Sequence, residues 1–216
     1  NSTNNNATYN LFQDFIPVAT LGSLHLVLVT HKKSSTNTMS KLTSSKSPVF
    51  FGSSGVGTAT HVAGELFGQQ TKLDVVHVPY KGEGAALTDI LSNNLNILFT
   101  GVGVIQSHSN SDVLQILAVS GTRRQPSLPG VPTLAEQGIR GFESSPNWLV
   151  LLANSTADTK ILSLIQDAIA ESLKNPEDAD SFAKAGVDIE RKNLFNTQQF
   201  LATEQQKIQK MLDKIK

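Results

Sequence analysis

Short apolar runs alternate with stretches of helical periodicity through most of this sequence. The runs have the length and residue types of buried strands, and the continuous run at 24–29 is of the kind typical of parallel sheets. The predicted strands in this part of the chain are residues 24–29, 49–51, 75–78, 95–99 and 114–119. Because a predicted helix follows several of these strands, the pattern predicts an α/β fold with mostly parallel sheets.

The pattern becomes mainly helical in the last third of the chain. Thr133 and Glu136 have the spacing of a capping box and predict a short helix that ends at Gly138. Residues 148–153 predict a further strand, and residues 154–156 predict the cap of a long amphipathic helix. Together with the proline-rich passage, this change predicts a domain boundary near residues 122–146. The middle of the chain then forms one domain, and the two ends form another.

The totals exclude several classes of function. The 216 residues suffice for one large domain or two small ones. Eighteen Lys and Arg residues balance eighteen Asp and Glu residues, so we expect no nucleic-acid partner. The absence of cysteine excludes thiol catalysis and disulfides. No apolar run approaches the ~20 residues that span a membrane, so we expect the chain itself not to be membrane-spanning.

Residues 48–61 form the most informative stretch, which reads as a strand, a loop of small residues and a helix start. Ser53, Ser54, Gly55 and Gly57 allow backbone N–H groups to approach a bound group closely. The helix that follows directs its unpaired N–H groups and the positive end of its dipole at the same place. Such a loop suits a carboxylate or a phosphate. The alternative interpretation is an ordinary strand–turn–helix connection with a serine cap.

Two further turns, at residues 79–84 and 100–103, share this design. In an open α/β sheet such turns gather at the carboxyl ends of the strands, where ligands bind. Three of them in successive units predict a small-molecule cleft.

Other kinds of site fit the sequence less well. The loop lacks the third glycine of the dinucleotide fingerprint, and no Walker motif occurs. The five histidines lack metal-ligand spacing, and no Gly-x-Ser-x-Gly elbow occurs. His61 lies one turn into the predicted helix, within reach of the loop, although a histidine in such a place more often caps or packs. We therefore expect no catalytic residue, no metal and no cofactor.

An ordered set of motifs runs along essentially the whole chain. The segments are residues 14–18, 51–67, 77–82, 117–138 and 141–143, followed by Trp148. Together they resemble the Bug family, the periplasmic solute-binding proteins of tripartite tricarboxylate transporters.

The resemblance implies a bilobal periplasmic-binding-protein-like (type II) α/β fold without enzymatic activity. Residues 24–143 would form the second lobe, and residues 1–23 and 144–216 the remaining part of the first. The resemblance also implies a periplasmic location. Such a protein captures a small carboxylate (a di- or tricarboxylate or an amino acid) by closure of its lobes and passes it to the membrane subunits of the transporter.

The resemblance also assigns ligand-binding residues. The small-residue loop matches the family's second-lobe loop, and Tyr80 and Gly82 match its neighbour. With His61 and Thr100 added from their places beside these turns, the predicted ligand-binding residues are Ser53, Ser54, Gly55, Gly57, Thr58, His61, Tyr80, Gly82 and Thr100.

Two departures from the family accompany this prediction. The family begins with a strand and a Gly-Gly loop ahead of the first residue of this sequence, so we expect an incomplete first lobe. The family also commonly has an acidic residue near position 100, where this chain has Thr100 and Gly101. The alternative function is a ligand-sensing regulatory domain of similar bilobal fold.

Overall fold

The structure, a computed structural model, describes residues 8–108, 111–143, 147–192 and 194–215. The strands are β1 (Phe15–Leu24), β2 (Leu26–His31), β3 (Val49–Ser53), β4 (Val75–Pro79), β5 (Ile97–Gly101), β6 (Leu114–Val119), β7 (Trp148–Asn154) and β8 (Val187–Lys192). The helices are α1 (Leu11–Asp14), α2 (Met39–Thr43), α3 (Ala59–Thr71), α4 (Glu83–Leu91), α5 (Val102–Ile105), α6 (Thr159–Ser172), α7 (Pro176–Lys184) and α8 (Leu194–Ile215). A 3-10 turn spans Gln106–His108.

The described residues fall into two compact units. The larger unit comprises those of His25–Ser145, and the smaller unit comprises those of Asn1–Leu24 and Pro146–Lys214.

The larger unit contains a five-stranded sheet in the order β4-β3-β5-β2-β6. β3 pairs in parallel with β4 and β5, whereas β2 is antiparallel to both β5 and β6. Four strands therefore point the same way, as predicted, and β2 opposes them. The apolar run at 24–29, which is of a kind typical of parallel sheets, thus forms the antiparallel strand. All six residues of β2 are buried. Such a run indicates burial on both faces of the sheet and does not indicate strand direction.

Helices cover both faces of this sheet because side chains alternate along each strand. Leu28 points into one hydrophobic cluster, together with Phe67 of α3. Its neighbour Val29 points into the opposite cluster, together with Ile90 of α4. The two helices that follow the predicted loops are therefore fixed to opposite faces of one sheet.

The smaller unit contains a three-stranded sheet in the order β7-β1-β8. Both pairings are antiparallel, so the prediction of mostly parallel sheets is wrong for this unit. The sequence pattern also missed β1, the central strand. Its register shifts between Pro17 and Ala19 and again between Thr20 and Gly22, because proline and glycine interrupt a regular ladder. A side chain of α6 ties this strand to its helix, since Gln166 Nε2 donates to the carbonyl of Val18 at 2.8 Å.

Two predicted helix starts differ in the structure. The capping box forms, with the Thr133 N–H donating to Glu136 Oε2 at 2.6 Å and the Glu136 N–H donating to Thr133 Oγ1 at 3.0 Å. It closes a turn rather than a helix, because Gly138 (φ 82°) ends the segment within one turn. The cap of the long helix α6 is Asp158 and not the predicted residues 154–156. Asn154 is instead the last residue of β7.

The close packing of α3 on β3 gives a test of this fold. A Cβ at Gly64 would overlap the ring of the fully buried Phe51. We expect Gly64→Ala to lower the free energy of unfolding by about 1–3 kcal/mol, although alanine has the higher helix propensity. Urea denaturation measures the change. Gly84→Ala in α4 is the matched control, because no atom lies within 4 Å of a Cβ there. Equal stability of the two variants would contradict this packing.

Candidate ligand-binding site

The three turns predicted to bind a ligand lie side by side in the larger unit. β4, β3 and β5 are neighbouring, parallel strands, so their carboxyl ends meet at one edge of the sheet. A helix follows each of them. We refer to residues 53–58, 79–83 and 100–101 together as the loop edge.

The loop between β3 and α3 is held open by its glycines. Gly55 has φ 132° and Gly57 has φ 80°, in a region that residues with a Cβ rarely adopt. Hydroxyl groups then fix the loop from within. Thr58 Oγ1 donates to the Gly55 carbonyl at 2.7 Å, and the Gly55 N–H donates to Ser53 Oγ at 3.1 Å. The Ser54 N–H donates to Thr60 Oγ1 at 2.9 Å.

Backbone donors remain free at the start of α3. Thr58 is the N-cap, and its hydroxyl oxygen accepts from the His61 N–H at 3.4 Å. No hydrogen bond among the described residues uses the N–H groups of Val56, Ala59 or Thr60. Ala59 and Thr60 are the first two residues of the helix, so their N–H groups lie at its positive end. The loop can therefore hold an anion without a cationic side chain.

Three stacked rings pack beside this loop and contact it. The ring centroids of Phe51 and His77 lie 4.9 Å apart, and those of His77 and His61 lie 4.0 Å apart. His61 Nδ1 accepts from the Gly57 N–H at 3.0 Å, and His77 Nε2 lies 2.6 Å from Ser53 Oγ. Both imidazoles are thus tied to the loop as well as to each other.

Burial keeps both imidazoles neutral near pH 7. Burial, and to a lesser extent the neighbouring His61, lowers the pKa of His77 to about 4. Burial also lowers the pKa of His61, and the carboxylate of Glu65 partly opposes that shift. A protonated Nδ1 of His61 has no lone pair for the Gly57 N–H, so the loop geometry needs the neutral form.

The second turn is tied to the first. The Tyr80 N–H donates to the Ser53 carbonyl at 3.0 Å. The Tyr80 hydroxyl donates to Asp89 Oδ2 at 2.5 Å, and burial together with this bond raises the pKa of Tyr80 to about 12. Gly82 (φ 104°) precedes α4 without a side-chain cap, and no atom lies within 4 Å of a Cβ placed there. The turn is therefore rigid but leaves space beside Gly82.

The third predicted turn is not a loop, because β5 ends at Gly101 and α5 begins at Val102. A side chain that the sequence analysis did not select holds this junction. Thr100 is completely buried, and its hydroxyl donates to Glu83 of α4. The Gly101 N–H also donates to Glu83 Oε2, at 2.8 Å. A sequence signal existed, because Glu83 directly follows Gly82 at a predicted helix start. Only the placement of α4 beside β5 shows what the carboxylate contacts.

All nine predicted site residues lie at or beside the loop edge. Seven of them are partly exposed: Ser54, Gly55, Gly57, Thr58, His61, Tyr80 and Gly82. Ser53 and Thr100 are fully buried, and their hydroxyls are bonded within the protein. The sequence analysis missed Thr60, His77 and Glu83. Contact of any of these residues with a ligand remains a prediction.

The described part of the chain lacks two further kinds of feature. Its helices include none with the length and apolar character to cross a bilayer. Its His, Asp and Glu side chains form no group of three or more that could hold a metal ion.

A comparison with protein families decides which family the chain belongs to. Residues 2–216 match the family described as the tripartite tricarboxylate transporter family receptor. The chain belongs to this family. The resemblance to the Bug family is thereby confirmed. The family is one of receptors rather than enzymes, as the resemblance implied.

Curated relatives agree with this assignment. The chain is 30% identical to the protein BugT of Bordetella pertussis over 203 residues, which are 92% of this chain and 62% of BugT. It is 31% identical over 136 residues to a UPF0065 protein from the clcB-clcD intergenic region of Pseudomonas knackmussii, covering 63% of this chain and 80% of that protein. The chain therefore spans less than two thirds of the length of BugT.

Solved structures confirm the bilobal α/β fold. An R. palustris protein solved with adipate matches with a TM-score of 0.89 at 23% identity, over 97% of this chain and 72% of that protein. MatC of Rhodopseudomonas palustris, solved with bound malate, matches with a TM-score of 0.84 at 20% identity, over 97% of this chain and 74% of MatC. At these identities the likeness concerns the fold alone.

The lowered pKa of His77 predicts a pH dependence of stability. The pKa of the unfolded side chain is about 6.5 and that of the folded one is about 4, so the unfolded chain binds more protons between these values. We therefore expect the free energy of unfolding contributed by His77 to fall as the pH is lowered through this window. Denaturation at several pH values measures it. His77→Phe keeps a stacked ring but cannot titrate, so its stability should depend less on pH.

A control variant tests whether the pH dependence of stability belongs to His77. Val76, the preceding residue of β4, does not titrate and is 37% exposed. Val76→Thr should therefore keep the wild-type pH dependence. A His77→Phe variant with the same dependence as the wild type would show that His77 is not held neutral by the fold.

Proposed function

We propose that this chain is the ligand-binding receptor of a tripartite tricarboxylate transporter and captures a small carboxylate at the loop edge. The observation that carries the proposal is the set of free N–H groups at the start of α3, in a member of a receptor family. The adipate and malate bound to two proteins of similar fold support a carboxylate as the ligand class. In this proposal, carboxylate oxygens accept from Ala59 and Thr60.

The remaining loop residues have separate roles in this proposal. Ser54, Thr58 and Tyr80 are partly exposed and line the ligand, and the open space beside Gly82 admits it. Ser53 and Thr100 act differently, because their hydroxyls are bonded within the protein. They hold the turns in the shape that binds the ligand. Such preorganisation lowers the entropy cost of binding.

The wider cellular role follows from the family. We propose a periplasmic location and delivery of the ligand to the membrane subunits of the transporter. We also propose that residues 24–143 act as one lobe and that residues 1–23 and 144–216 belong to the other, with closure of the lobes on the ligand. The family match favours this receptor over a ligand-sensing regulatory domain.

Isothermal titration calorimetry with a panel of dicarboxylates, tricarboxylates and amino acids tests the proposal. We expect at least one of these compounds to bind, and Gly57→Val to weaken its binding at least about tenfold. The reason is that φ 80° disfavours a β-branched residue and that the Gly57 N–H anchors the loop to His61.

Gly130→Val is the matched control, because no atom lies within 4 Å of a Cβ at this exposed glycine. It should bind as the wild type does, and circular dichroism verifies that both variants fold. Absence of binding to every compound by the folded wild-type protein would contradict the proposed function. Undiminished binding by a folded Gly57→Val variant would exclude the loop from it.

A further inference from the structure

Glu83 places a fixed negative charge within the loop edge. It is the first residue of α4, and its side chain crosses to the last two residues of β5. There its Oε2 atom accepts from the Gly101 N–H at 2.8 Å and from the Thr100 hydroxyl. A single oxygen thus takes both bonds, and the carboxylate is held in one orientation between the second and third turns.

The other oxygen of this carboxylate is unused. No hydrogen bond among the described residues reaches Glu83 Oε1, and no Lys, Arg or His side chain forms an ion pair with Glu83 there. The side chain is only partly buried. Oε1 is therefore an oriented acceptor that has no partner within the described part of the chain.

The loop edge therefore contains two groups with opposite ligand preferences, one for an acceptor and one for a donor. The start of α3 offers N–H donors, which suit the carboxylate of a ligand. Glu83 repels a second carboxylate and suits a donor, most of all a cationic one, because a charge-assisted hydrogen bond is stronger than a neutral one. A plain dicarboxylate satisfies the first preference only. A carboxylate that also carries an ammonium group satisfies both.

We propose that Glu83 is a specificity-determining residue that binds the ammonium group of an amino-acid ligand through Oε1. The loop edge thereby selects an amino acid over the dicarboxylate of the same carbon skeleton. This inference rests on the proposed function, because it presupposes that the loop edge binds a carboxylate. It goes further by naming the ligand class and the residue that chooses it.

A purely structural role of Glu83 makes a different prediction. As a cap for the Gly101 N–H, the side chain needs only one acceptor oxygen, and Glu83→Gln keeps such an oxygen. That substitution therefore preserves the cap but replaces the carboxylate with a neutral amide. A structural role predicts an unchanged choice between ligands in Glu83→Gln, whereas the specificity role predicts a changed one.

The experiment compares matched ligand pairs by calorimetry on the full chain. The pairs are aspartate with succinate and 2-aminoadipate with adipate, which differ by one ammonium group. We expect the wild-type protein to bind the amino member of at least one pair about tenfold or more tightly, and Glu83→Gln to bring that ratio close to one. Asp112→Asn is the charge-matched control. Asp112 is exposed and precedes β6, at the opposite edge of the sheet, so its variant should keep the wild-type ratio.

The outcomes separate this inference from the function on which it rests. Binding of both dicarboxylates as tightly as their amino counterparts by the wild type would overturn the inference and leave the proposed function standing. A ratio unchanged in Glu83→Gln would overturn it equally. Failure of the folded wild type to bind any of the four compounds or any other carboxylate would overturn both.

Discussion

The loop that follows β3 depends on three aromatic rings stacked one upon another. Phe51 is fully buried in the core, His77 stacks on it, and His61 stacks on His77. Each imidazole also holds the loop, His61 through the Gly57 N–H and His77 through the Ser53 hydroxyl. The buried Phe51 thereby fixes the backbone of the loop through the two imidazoles. The free N–H groups at the start of α3 are fixed in place before a ligand arrives, which reduces the entropy lost on binding.

The sequence predicts the elements of the larger unit well because their signals are local. β6 has the predicted bounds, and β4 is one residue longer than the predicted strand 75–78. Strand direction has no such local signal. The uniformly apolar β2 is buried on both faces, and that pattern is the same for either direction. The sequence pattern did not predict β1, because Pro17 and Gly22 interrupt the strand-like residue pattern at the two places where the register shifts.

The residues of the candidate site likewise differ in whether a local sequence signal predicts them. The small residues of the loop after β3 are contiguous, so the sequence alone predicts an anion site there. The groups that support the loop come from elsewhere in the chain: His77 lies 24 residues from Ser53, and Glu83 lies 17 residues from Thr100. Such contacts follow from the alignment of β4, β3 and β5, which no local motif encodes. Glu83 of the neighbouring helix α4 thus brings an acidic group beside Thr100 and Gly101.

A crystal structure of the chain with a bound amino acid or dicarboxylate tests the central claim most directly, because it locates the ligand carboxylate. The account predicts carboxylate oxygens within hydrogen-bond distance of the N–H groups of Ala59 and Thr60, with the Gly55–Gly57 backbone unchanged. A ligand bound with its carboxylate away from the start of α3 would contradict the account.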